Sequence, residues 1–189
     1  MNLPNKLTLI RILMIPVFVA LYFITAIPYN YTLSAVIFAL AAFTDFLDGY
    51  IARKYNLVTN LGKFLDPIAD KVLVSTALIV MLVFAPAGQV ILPFYGAIAV
   101  AIILARELIV SGFRMVAASK GAVIAADWSG KIKTFVTDIA IVVLLVGANF
   151  CELYGTINII GLVLLGIATL LTIISGVECV VKNIEVLKG

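Results

Sequence analysis

Stretches such as TALIVMLVFA and AIVVLLVGA are apolar without a break, whereas a surface helix or a half-buried strand would interleave polar positions at its own period. A helix that crosses a bilayer needs about 20 predominantly apolar residues. Runs of that size fall at 7–25, 31–53, 66–86, 91–118, 131–150 and 156–181. The pattern predicts an all-α integral membrane protein with six transmembrane helices. A transmembrane β-barrel would require segments of about ten residues alternating apolar and polar, and these runs do not alternate. The first run, apolar from Ile12 to Ile24, lies at the upper end of a signal-peptide core and is read as a retained helix. With no Ser/Gly linker, low-complexity tract or internal repeat, residues 1–189 are expected to form a single domain. Gly161, Gly166 and Gly176 in the last run suit close helix approach.

Composition sharpens this picture. The chain is 64% hydrophobic and 12% charged, with a mean hydropathy of +1.23, where a soluble domain carries about 25% charged residues. All 13 Lys and Arg fall on one side of the six-span arrangement, and the opposite loops TAIPYN, APAGQ and NFCELYG contain none. Short cytoplasmic loops hold basic residues in excess. Both termini and the connections around 54–65 and 115–130 are therefore expected in the cytoplasm, in a multi-pass protein of the plasma membrane. No nucleic-acid partner is expected. Cys151 and Cys179 fall near opposite faces, which argues against an intrachain disulfide.

In so apolar a chain, DFLDGYIARKYNLVTNLGKFLDPIAD at 45–70 stands out for its four aspartates. Asp45 and Asp48 are three apart at the end of the second helix, and Asp66 and Asp70 are four apart at the start of the third. Each pair shares a helix face, and antiparallel spans bring both pairs to the cytoplasmic interface. Repulsion and desolvation disfavour such a cluster unless a cation joins it. Carboxylate oxygens select a hard divalent ion, Mg²⁺ or Mn²⁺, and a chain without histidine lacks the usual zinc ligands. Two such ions are the common arrangement where phosphate oxygens are bound for transfer. Asp66 before Pro67 also fits a helix N-cap. Gly49 and Ala52 open a notch on one helix face, Arg53 can neutralise a diphosphate, and Gly62 permits close backbone approach. Together these residues read as a site for a nucleoside diphosphate.

Asp45-x-x-Asp48-Gly49-x-x-Ala52-Arg53, eight residues, then Gly62-x-x-x-Asp66-x-x-x-Asp70 resembles the signature of the CDP-alcohol phosphotransferases. The resemblance implies transfer of a phosphatidyl group from CDP-diacylglycerol to an alcohol, with release of CMP. It further implies that Asp45, Asp48 and Asp66 hold metal and the CDP diphosphate, and that Asp70 is the base and a further metal ligand. Gly49, Ala52, Arg53 and Gly62 would belong to the CDP pocket, and the chain would form a homodimer among its membrane lipids.

The acceptor is read from cations outside the signature. Glu107, Ser111 and Arg114 share a stripe of the fourth helix with Arg106 about 80° away, while Lys131, Thr134 and Asp138 share one on the fifth, by the 100°-per-residue rule. So many cations suit an acceptor with its own phosphate. Arg106, Arg114, Lys131 and Lys133 are the candidates to hold it, with Lys133 ranked last because it lies about 200° around from Lys131. Asn5, Thr8 and Arg11 are candidate acceptor or headgroup contacts. These segments look like the branch of the family that uses glycerol 3-phosphate. An inositol phosphate is the alternative acceptor, and a divalent-cation transporter is the alternative from another class.

Overall fold

The computed structural model describes residues 3–55, 60–83, 91–120, 128–150 and 154–184. Six helices make up almost all of these: α1 (Leu3–Phe23), α2 (Asn30–Lys54), α3 (Asn60–Leu82), α4 (Phe94–Ser119), α5 (Trp128–Gly147) and α6 (Tyr154–Lys182). Each coincides with one of the six apolar runs. Cys151 lies outside the described residues, and Cys179 is a buried free thiol.

Within α1, α2, α4 and α6 there are segments long and apolar enough to cross a membrane. The charges of α3 fall in its first half, at Lys63, Asp66, Asp70 and Lys71, and those of α5 at Lys131, Lys133 and Asp138. Large apolar side chains face outward around the molecule, among them Leu13, Phe43, Leu108, Ile159 and Leu170. An outer surface this apolar requires lipid around it, and the protein is a multi-pass membrane protein.

The helices pack in two groups joined across α2 and α5. α1 lies along α2 and against α3, while α6 lies along α5 and against α4, with α2 also touching α5. The core between them includes Phe18, Phe38, Leu73, Leu78, Met81, Ile141, Leu144 and Leu145. Buried hydroxyls on α6 bond within their own helix, Thr169 to the Leu165 carbonyl and Thr172 to the Ala168 carbonyl (2.8 and 2.6 Å).

Two expectations are corrected here. Asp66 is not an N-cap: α3 begins at Asn60, so Asp66 and Pro67 lie inside the helix. The polar opening NLGKF hides this turn from a reading based on apolar length. Of the α6 glycines expected to allow close helix approach, Gly161 makes it, for a Cβ there would lie 2.7 Å from Leu144 of α5, but Gly166 faces open space.

Candidate active site

The first helix organises the site. Its buried positions recur at Asn5, Thr8, Arg11, Ile15, Phe18 and Tyr22, a spacing of three and four that keeps them on one face. The stripe is polar in its first turns and apolar beyond. Its apolar half joins the core, and its polar half meets the aspartates.

Arg11 is fully buried and addresses three groups on α2. Its Nη1 pairs with Asp45 Oδ1 at 2.8 Å and its Nη2 with Asp48 Oδ2 at 2.5 Å, while Nε donates to Thr44 Oγ1 at 3.4 Å. One turn earlier, Thr8 Oγ1 donates to Asp66 Oδ1 on α3 at 2.6 Å. Two residues of α1 thus bind three signature carboxylates across α2 and α3. Arg11 and Thr8, candidate contacts of the acceptor or the headgroups, thus face the aspartates. Asp48 is the buried carboxylate (2% exposed) and Asp45 the open one (43%). Gly49 is half-buried and Gly62 buried beside the same helix ends, and the side chains of Ala52 and Arg53 lie outside the described residues.

Asp70 opens onto a second feature. With Lys71, Glu107, Lys133, Thr134 and Thr137 it lines a small cavity between α3, α4 and α5. Lys71 Nζ donates to Ser111 Oγ, which donates to the Glu107 carbonyl at 2.5 Å. Lys133 pairs with Glu107, and Arg106 Nη1 pairs with the same Glu107 oxygen at 3.0 Å. Arg114 lies within electrostatic reach of Lys71, its Nε buried without a hydrogen-bond partner. Asp138 on α5 is a fifth aspartate, within electrostatic reach of Asp70 and Asp45.

The ranking of the α5 lysines is reversed. Lys133 is buried and faces the cavity, whereas Lys131 is exposed, its ammonium 5.0 Å from the centre of the Trp128 ring. The 200° separation was correct, but the inner face of α5 is set by packing against α6 and α2, which a single-helix wheel does not contain. Lys71 was not singled out from the sequence, although its place directly after Asp70 was a usable signal.

Oxygen donors from four aspartates have the chemistry of a hard-cation site. Among the described residues no three acidic or thiol side chains converge as a ready ion cage; in this arrangement Arg11 supplies the positive charge beside Asp45 and Asp48.

Residues 1–174 match the CDP-alcohol phosphatidyltransferase family. The chain belongs to that family. The phosphatidyltransferase is 42% identical to a CDP-diacylglycerol–glycerol-3-phosphate 3-phosphatidyltransferase of Bacillus subtilis, over 99% of this chain and 97% of the relative. A Rickettsia bellii protein of the same name is 42% identical over 93% of this chain and 91% of its own. A probable phosphatidylglycerophosphate synthase of Mycobacterium tuberculosis is 37% identical over 100% of this chain and 84% of its own.

Proposed function

We propose that this phosphatidyltransferase moves the phosphatidyl group of CDP-diacylglycerol to glycerol 3-phosphate, forming phosphatidylglycerophosphate and releasing CMP. The observation that carries the reading is the position of Asp70, which closes the aspartate signature and lines a cavity with Lys71 and Lys133. A base beside two cations suits an acceptor that carries a hydroxyl to be deprotonated and a phosphate to be held. The names of the relatives agree with that acceptor.

In this reading Asp70 accepts the proton of the acceptor hydroxyl. The freed oxygen attacks the lipid-linked phosphorus, and the bond from that phosphorus to the CMP oxygen breaks. Lys71 and Lys133 hold the acceptor phosphate, with Arg114 behind Lys71. Asp45, Asp48, Asp66 and Asp70 would hold Mg²⁺ or Mn²⁺, a pair of ions being the usual count. When bound, such ions neutralise charge that develops on the diphosphate as CMP leaves. The CDP moiety would lie along Gly49, Ala52, Arg53 and Gly62.

The same reading takes all six helices across the plasma membrane, with the termini and the site at the cytoplasmic face. It is supported by the one-sided distribution of the basic residues. The family resemblance supports a homodimer.

An acceptor panel tests the assignment. Purified protein with CDP-diacylglycerol and a divalent cation should release CMP with glycerol 3-phosphate and much more slowly with an inositol phosphate or serine. CMP release equal with serine would reject a phosphate-bearing acceptor.

A further inference from the structure

Behind the cavity a line of polar groups runs from α5 through α4 to α6. Glu107 Oε1 accepts from Lys133 and also from Arg106 Nη1 at 3.0 Å. Arg106 Nη2 donates to Ser175 Oγ on α6 at 2.9 Å, and Ser175 donates in turn to the Thr172 carbonyl at 3.2 Å. Lys133 and Glu107 line the cavity, and Arg106 is not in its lining. A Cβ at Gly176 would lie 2.9 Å from Arg106 Cγ and 3.4 Å from Nε. The arginine stem is therefore laid into a notch on α6 that exists only because residue 176 has no side chain.

A lysine is a point charge on a flexible four-carbon stem, and holding an anion with it costs the ordering of that stem unless something has ordered it already. Glu107 orders Lys133. A carboxylate alone would also cancel the charge that an anion needs. Arg106 shares the same carboxylate oxygen and offsets that cancellation, so the triad of Lys133, Glu107 and Arg106 keeps one net positive charge and presents it at Lys133. Ser175 and Gly176 fix Arg106 from behind.

We propose that Arg106 is a positioning residue, acting through Glu107 on Lys133 to set the cavity's affinity for the acceptor's phosphate, rather than a direct phosphate ligand. The proposal rests on the reading of this cavity as the acceptor site. It assigns Glu107, Ser175 and Gly176 to acceptor selection, and it turns Gly176 from a packing residue into the seat of a functional side chain.

The test uses the full-length purified enzyme, measuring KM for glycerol 3-phosphate and for CDP-diacylglycerol separately, with inorganic phosphate as a competing probe. Arg106→Lys and Glu107→Gln should each raise the acceptor KM about tenfold, the scale of one charge-assisted hydrogen bond. Neither should alter kcat or the CDP-diacylglycerol KM by as much as about threefold, and the inhibition constant of phosphate should rise in parallel. Groups that act in series are not additive, so the double variant should be no worse than the poorer single one. Gly176→Ala, which removes no polar group, should raise the acceptor KM in the same direction, and it carries the test if Glu107→Gln does not fold. A double variant whose KM multiplies the two single effects would make Arg106 an independent phosphate ligand and overturn the proposal. So would acceptor KM values at the wild-type level in all variants. A wild-type enzyme whose CMP release does not depend on glycerol 3-phosphate would instead overturn the assigned function, a distinct outcome read in the same assay.

Discussion

Arg11 joins the signature to the first helix: one buried guanidinium serves Asp45, Asp48 and Thr44. Removing one partner of a buried ion pair costs about 3–5 kcal/mol, because the charge left behind is uncompensated. Arg11→Ala should therefore lower the melting temperature, and Mg²⁺ or Mn²⁺ should restore much of the loss by supplying the missing positive charge. A folded Arg11→Ala protein whose melting temperature ignores divalent cations would argue against a cation site at these aspartates. For Asp70 the expectation is kinetic. Asp70→Asn should lower turnover by about 10² or more, the usual contribution of a general base, while CDP-diacylglycerol still binds; turnover near normal would remove it from that role. The two lysines of α5 should separate cleanly. Lys133→Ala should raise the acceptor KM roughly ten- to hundredfold, the equivalent of about 1.5–3 kcal/mol for a charge-assisted bond, and Lys131→Ala should change it little, since its ammonium rests on exposed Trp128. Equal effects would mean that the cavity is not where the acceptor phosphate sits.

At the level of elements, α5 and α6 depend on a close approach at Gly161, where a Cβ would lie 2.7 Å from the Leu144 side chain and 3.3 Å from its backbone nitrogen. Gly161→Ala should destabilise the fold by about 1–3 kcal/mol through overpacking, read as a lower melting temperature in detergent. Gly166→Ala meets nothing within 4 Å and should be neutral or stabilising by up to about 1 kcal/mol, because alanine loses less backbone freedom in a helix. Reversed signs would contradict the packing of these two helices. The six elements were legible because each run is long and predominantly apolar, and the aspartate pairs because their spacing is fixed within two helices. The start of α3 was not, since Asn60–Leu65 is too polar to read as part of a membrane span. Nor could the sequence say which face of α5 looks inward, or that Thr8 and Arg11 reach across to Asp66 and to Asp45 and Asp48. Those facts depend on which helices touch, and hydrophobic period within one helix carries no such information.

On the scale of the whole molecule, hydrogen bonds and ion pairs join the polar half of the α1 stripe to the aspartates of α2 and α3, and the cations of α4 and α5 to Glu107, while the opposite halves of α1 and α2 form an apolar core. This division suits an enzyme that takes one substrate from the bilayer and the other from water. The aspartate cluster and the cationic cavity are held to be the two halves of one reaction centre, so both substrates must be consumed together and through the same residues. The most direct measurement is the stoichiometry of labelled glycerol 3-phosphate entering lipid against CMP released, in wild type and in Asp70→Asn. One labelled phosphatidylglycerophosphate per CMP in the wild type, with both falling together in the variant, is the expected result. CMP released without label in lipid, or label incorporated at the wild-type rate by Asp70→Asn, would contradict it.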